Sequence, residues 1–338
     1  MWGYEASLVV SGNDNPGELQ GFPSLVVGMA PLHRPGHDPG ENAIVALASV
    51  RQRDHPAGLL AGDRAYTNQK PKNFQLPARA LGYRLVLDYK SDQLGVQAEY
   101  RGMLQIEGEW YCPSIPEALK SATIDYVVNK SIDEATYLAR LRERWHYRVL
   151  LKAGPDADGH VRMRCPATNP APAVRCELKP RSERSATRGN TRVLVVRDVR
   201  DHPPAICAQQ SLTVPPEAGA KFAQDLLYGS DEWHAHYATL RNSIKGMNGF
   251  VKDGAHEALD DPERRRVRGV AAQSVFIALL LMAANLRKIE SFLAEEEAVA
   301  AGKVRTLPRR RRTRSIRTWR PENPVVGKMK EPDPPLTA

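Results

Sequence analysis

Arg241, Lys245 and Lys252 recur at helical spacing through residues 237–252, beside Leu240, Ile244, Met247 and Val251 on a neighbouring face. Cations on one face of a helix, next to an apolar face that packs, suit contact with a polyanion such as a nucleic-acid backbone. A second reactive group ends the apolar run Leu59-Leu60-Ala61, in the sequence Gly62-Asp63-Arg64-Ala65-Tyr66. An acid at the carboxyl end of a buried strand is placed to meet a divalent metal at the sheet edge. The same Asp63 is equally suited to cap the helix that follows or to pair with Arg64. The third group is Cys112, Cys165, Cys176 and Cys207. Four thiolates make a tetrahedral zinc site, but there is no Cys-x-x-Cys pair and the spacing is irregular, so buried reduced thiols are expected and zinc is the alternative.

The elements that must position these groups follow from periodicity. Residues 4–10 and 24–30 read as strands around a turn cluster at 13–17, and 41–52 as an apolar helix. A helix over 73–81, tolerating Pro77, then joins the strand at 59–61 to another at 83–88, a βαβ unit with a parallel pair. The pattern changes after residue 94. A hairpin is expected over 103–111, a charged helix over 133–145, strands at 147–152 and 192–199, and a loop rich in Pro, Arg and Ser over 166–190. A helix over 215–229 and a cap at Asp231 introduce the cationic helix. Gly246 and Gly249 each cost that helix roughly 1 kcal/mol relative to alanine, so they imply close approach of a sheet or of DNA. Residues 262–294 are apolar nearly all round and are expected to be buried against the sheet.

At 338 residues, with 42% hydrophobic and 26% charged side chains, the chain has globular composition. Most of its net charge of +9 falls in residues 301–338, where the arginine run at 309–312 is followed by Arg314, Arg317, Trp319 and Arg320. Such a segment is a solvated tail or a tracker of nucleic-acid backbone. The start lacks a basic region followed by a long apolar run, and the apolar stretch 275–284 is too short to span a bilayer, so a soluble cytoplasmic protein without a membrane partner is expected.

With these motifs the chain resembles the DDE-type insertion-sequence transposases, a family of ribonuclease-H-like fold. Their last catalytic helix carries a tyrosine, an arginine, a metal-binding glutamate one turn on and a lysine two turns later. Tyr237, Arg241, position 245 and Lys252 match that order, with Lys245 where the glutamate would stand. Asp63, Arg64 and Tyr66 match the motif of the second catalytic aspartate, and Asp88-Tyr89-Lys90 also fits. Trp2-Gly3-Tyr4 matches the start of the family's second strand, so the first strand and its aspartate are expected to be missing, and Asp14 does not replace it.

The resemblance implies an α/β fold: an incomplete ribonuclease-H-like mixed sheet flanked by helices, with an inserted β-rich subdomain. The domains would be 1–93 and 214–295 for the core, 94–213 for the insertion and 296–338 for a basic disordered tail. It further implies DNA transposition and DNA binding, with Asp63 as second acid and metal ligand, Mg2+ as cofactor, and Tyr237, Arg241, Lys252 and Arg64 on DNA. Partners would be DNA, a second copy, or an upstream transposase fragment. An ammonium at Lys245 repels the cations a carboxylate would hold, and Asp253 and Glu257 lie too far along the helix to replace it. A catalytically impaired copy is therefore expected, with a non-catalytic DNA-binding remnant as the alternative.

Overall fold

The computed structural model describes residues 3–302 except 14, 19, 170–171, 181, 183–192, 196–201 and 265. Trp2, Asp14, Arg265, much of the expected 192–199 strand and the arginine-rich tail lie outside the described residues. In chain order the elements are β1 (Leu8–Val10), β2 (Val26–Met29), α1 (Pro39–Arg51), β3 (Leu59–Ala61), α2 (Arg64–Thr67), α3 (Gln75–Ala80) and β4 (Arg84–Val86). There follow β5 (Val96–Tyr100), β6 (Met103–Ile106), β7 (Glu109–Tyr111), α4 (Glu117–Lys120), α5 (Glu134–Trp145), β8 (Leu150–Ala153), β9 (Val161–Arg164), β10 (Val174–Cys176) and β11 (Val193–Val195). The chain continues through α6 (Ala205–Ala208), β12 (Ser211–Val214), α7 (Asp231–Val251) and α8 (Val270–Ala300). The architecture is mixed α/β with several small sheets. It divides into two compact units, one taking the chain to Tyr89 and resuming at Ala223, the other spanning Lys90–Phe222.

In the discontinuous unit, β1 and β2 pair antiparallel, and β3 and β4 pair parallel with Leu60 opposite Leu85. Successive residues of a strand face opposite ways, and here the two faces serve two helical layers. Val9, Leu60, Leu85 and Leu87 join Ala43, Leu47 and Ala78 from α1 and α3 in one apolar cluster. Leu8 and Val10 join Met247 and Val251 of α7 and Ile277 and Leu281 of α8, while Leu59, Ala61 and Val86 pack on Trp233 and Tyr237. The two strand pairs thus lie between the same helical layers. A Cβ on Gly28 would come 2.6 Å from the Val50 side chain and 2.9 Å from the Ala46 carbonyl, so only glycine lets α1 sit this close to β2.

Each pair is sealed at its outer edge by side chains. Asn285 of α8 donates to the Val26 carbonyl and accepts from the Val26 amide, both at 2.9 Å. The carboxylate of Asp225 accepts from the Leu85 amide at 2.8 Å, and the Gln224 amide oxygen from that of Leu87 at 3.0 Å. No backbone hydrogen bond joins β1 to β3 among the described residues. Those two strands are half-buried along their length, whereas Leu85, Val86 and Leu87 on the outer strand are completely buried.

Three sequence expectations are corrected here. Residues 215–229 form turns, not a helix, because Gln224 and Asp225 are spent on the edge of β4. The cap of α7 is Ser230, whose hydroxyl accepts from the Trp233 amide, with Asp231 inside the first turn. Helix α8 begins at Val270 after a separate 3-10 turn at Pro262–Arg264, and it is not buried all round. Ile277, Leu281 and Ala284 face the core, but Val275, Leu279, Met282, Leu286 and Leu293 are each more than half exposed. Its 31 residues are long and apolar enough to cross a membrane by length and composition, beyond what the 275–284 run alone suggested.

The unit from Lys90 to Phe222 holds a β5-β6-β7 meander, a β12-β9-β8 sheet and a parallel β10-β11 pair, in which β10 lies inside the region expected to be irregular loop and β11 within the strand expected at 192–199. Its longest helix among the described residues, α5, is capped by Asp133, whose carboxylate accepts from the Thr136 amide. Arg144 of α5 is buried against Glu107 at 2.7 Å.

Candidate functional site

The carboxyl ends of β3 and β4 bring Asp63 and Asp88 to the same edge of the parallel pair. Asp63 is exposed, and its carboxylate accepts from the Ala65 amide at 2.8 Å, capping α2. The cap reading of this residue therefore describes its geometry. Arg64 does not pair with Asp63: its Nε and Nη2 lie 2.9 and 2.8 Å from Oδ2 of Asp88. Asp88 Oδ1 accepts from the Tyr228 hydroxyl at 3.2 Å, and its backbone carbonyl accepts from Thr67. Both oxygens of this half-buried carboxylate are thus engaged.

Helix α7 crosses β3 and β4 with Tyr237 turned inward. Its ring stacks on Trp233 at 4.8 Å and its hydroxyl bonds Arg241, so it is a buried spacer and does not face solvent as a DNA contact would. Burial chiefly, and the Asp88 charge next, raise the Tyr237 phenol above its ordinary pKa, with Arg241 and Arg64 opposing. That set of neighbours fixes Arg241 beside the Arg64–Asp88 pair. At about 100° per residue, Arg241, Lys245 and Lys252 lie within about 40° of one another over roughly 16 Å of helix. All three are exposed. Lys245 makes no ion pair with the described residues, and Lys252 stands 3.8 Å from Asp260 in a solvated pair of little energetic weight. A Cβ on Gly246 or Gly249 would meet nothing within 4 Å, so no part of the described fold is what approaches them.

Divalent metal does not fit this arrangement. A two-metal site needs converging carboxylates with oxygens to spare. Here Asp88 is held by a guanidinium and a phenol and Lys245 brings a positive charge, which leaves Asp63, one oxygen of which caps α2, as a single carboxylate. Glu257 is engaged by Arg287, and Asp253 lies beside His256.

Asp88, Tyr228 and Gln224 are functional neighbours that spacing could not assign. For Asp88 the sequence signals were the Asp88-Tyr89-Lys90 match and its place at the end of the second strand of a βαβ unit. Comparison of the chain with protein-family models, with curated proteins and with solved structures finds no match.

Proposed function

We propose that this chain is a transposase-like protein of the DDE, ribonuclease-H-like kind, and that it binds DNA through the cationic face of α7 without cutting it. The observation that carries this is the exposed row Arg241, Lys245 and Lys252, of which Arg241 is bonded by the buried Tyr237. Phosphates are the natural counter-charge for such a row, and the open backbone at Gly246 and Gly249 leaves room for a nucleic-acid strand beside it.

Two further observations support the finer fold assignment. The two strand pairs lie between the same helical layers with their inner edges unbonded, as a ribonuclease-H-like sheet would be without its central strand. A strand from an upstream transposase fragment is the matching partner for that position. Asp63, which follows β3, matches the sequence motif of the family's second aspartate, and this supports the reading. The non-catalytic half of the proposal follows from the engagement of Asp63 and Asp88 and from the ammonium at 245.

The test is binding of the full chain to duplex DNA by fluorescence anisotropy across a salt series, with a cleavage assay in Mg2+ and Mn2+ beside it. Affinity should fall steeply with salt and the DNA should stay intact. Salt-independent binding would refute the phosphate contacts, and metal-dependent cleavage above background would refute the loss of chemistry.

A further inference from the structure

The four cysteines, scattered in sequence, belong to one buried cluster. Cys112 follows β7, Cys165 follows β9, Cys176 ends β10 and Cys207 lies in α6, yet all four are buried in a single cluster with Tyr111, Tyr147, Val174 and Ile206. Strand register brings the first two together. Tyr111 bridges Arg148, the Cys112 amide donates to the Tyr147 carbonyl, and two residues further on Leu150 pairs with Arg164, the residue before Cys165. The Ala173 amide then donates to the Pro166 carbonyl, folding the chain back so that β10 delivers Cys176 to the same point.

The local backbone also has the form a metal-binding thiolate needs. Cys112, Cys165 and Cys176 each open a tight turn, their carbonyls accepting from the amides of Ile115, Thr168 and Lys179 at 3.1, 2.9 and 2.8 Å. In the Cys165 turn the Ala167 amide points at the sulfur itself. An amide directed at sulfur stabilises a thiolate and gains a buried thiol little. Cys112, Cys176 and Cys207 each lie near enough to Cys165 to act on it electrostatically. All four are thiols, not disulfides.

We propose that Cys112, Cys165, Cys176 and Cys207 bind one zinc ion as a closed tetrathiolate site that staples β7, β9, β10 and α6 together. Binding takes Zn2+ and four thiols to a tetrathiolate dianion and four released protons, with no redox change. A Zn–S distance of about 2.3 Å asks for sulfurs about 3.8 Å apart. No three of the four sulfurs lie within 4.8 Å of one another, so metal binding has to draw them together. Four protein ligands leave no open position, so the role is structural and independent of the DNA proposal. The remaining cluster of ligand type, Asp156, Asp158 and His160, is exposed, and Asp156 is already taken by the Asp158 and His160 amides, so it carries no proposal.

The experiment is metal analysis of the full chain produced with zinc and purified without chelator, followed by exchange into Co2+. About one zinc per chain is expected, and the cobalt form should show strong thiolate-to-metal charge transfer with the visible bands of tetrahedral cobalt. The double variant Cys112→Ser/Cys165→Ser should lose metal at least tenfold. Because that variant can fail to fold, the cobalt spectrum of the unaltered chain is the deciding measurement. A folded chain with less than a tenth of an equivalent of zinc, or a cobalt spectrum of octahedral oxygen ligation, would overturn the site.

Discussion

Replacing Lys245 with glutamate tests the cationic row directly, because Lys245 stands at the middle of the exposed face and supports no packing. If Arg241, Lys245 and Lys252 each neutralise one phosphate, α7 contributes about −2.7 to the slope of log affinity against log salt. Between 50 and 200 mM salt that share alone weakens binding roughly 40-fold. Lys245→Glu should make the measured slope shallower by about 0.9, whatever other cations add to the total. It should also weaken binding at low salt beyond the loss of one contact, since a carboxylate facing phosphate repels it. Lys245→Gln separates the two effects, giving the slope change without the repulsion. The assay is anisotropy on one duplex at five or more salt concentrations, with circular dichroism confirming that α7 is intact. An unchanged slope in both variants would show that this face of α7 does not meet the phosphate backbone.

Other outcomes follow from the geometry. Lys245→Glu should not confer cleavage in Mg2+ or Mn2+, because Asp63 still caps α2 and Asp88 is still held by Arg64 and Tyr228; product on a gel would contradict the metal-fit argument. Glu107→Gln leaves the buried Arg144 guanidinium, whose Nη1 has no partner among the described residues, without its counter-charge. That change should cost about 3–5 kcal/mol in urea unfolding, largely recovered when Arg144→Met is added. Burial pushes Tyr111 and Tyr137 from 10.0 up to about 12. Raised phenol values favour the protonated folded state, so their stabilisation is complete below pH 10 and lost as pH rises from 10 to about 12. Each can forfeit up to about 2.7 kcal/mol, and two tyrosines should ionise at 295 nm only as the fold is lost.

Local patterns carried much of this structure. Helix α7 follows from Leu240, Ile244, Met247 and Val251, of which Met247 and Val251 are the buried pair, and α5 from a charged run introduced by Asp133. The parallel β3-β4 pair was legible because an apolar run, a helix and a second apolar run leave one common arrangement. What failed depended on distant partners. Residues 215–229 could not reveal that Gln224 and Asp225 would be drawn to the amides of Leu87 and Leu85. For α8, apolar composition gave the amount of greasy surface but not which third of it would meet β1 and β2. The cysteines stood in the sequence as buried thiols with zinc as the alternative, because their irregular spacing could not show that the fold would bury all four in one cluster. Asp63 shows the opposite case: sequence offered a metal acid and a helix cap, and the hydrogen bond to Ala65 realises the cap.

The unbonded inner edges of β1 and β3 have a kinetic consequence. Ladder hydrogen bonds are what slow the exchange of strand amides with solvent deuterium, and these two strands have them on one side only. Their inward amides should exchange in the first moments, while Leu85 and Leu87, held by Asp225 and Gln224, lag behind. In each pair, β1 and β3 would then open before their partners β2 and β4, whose outer edges are held by side chains.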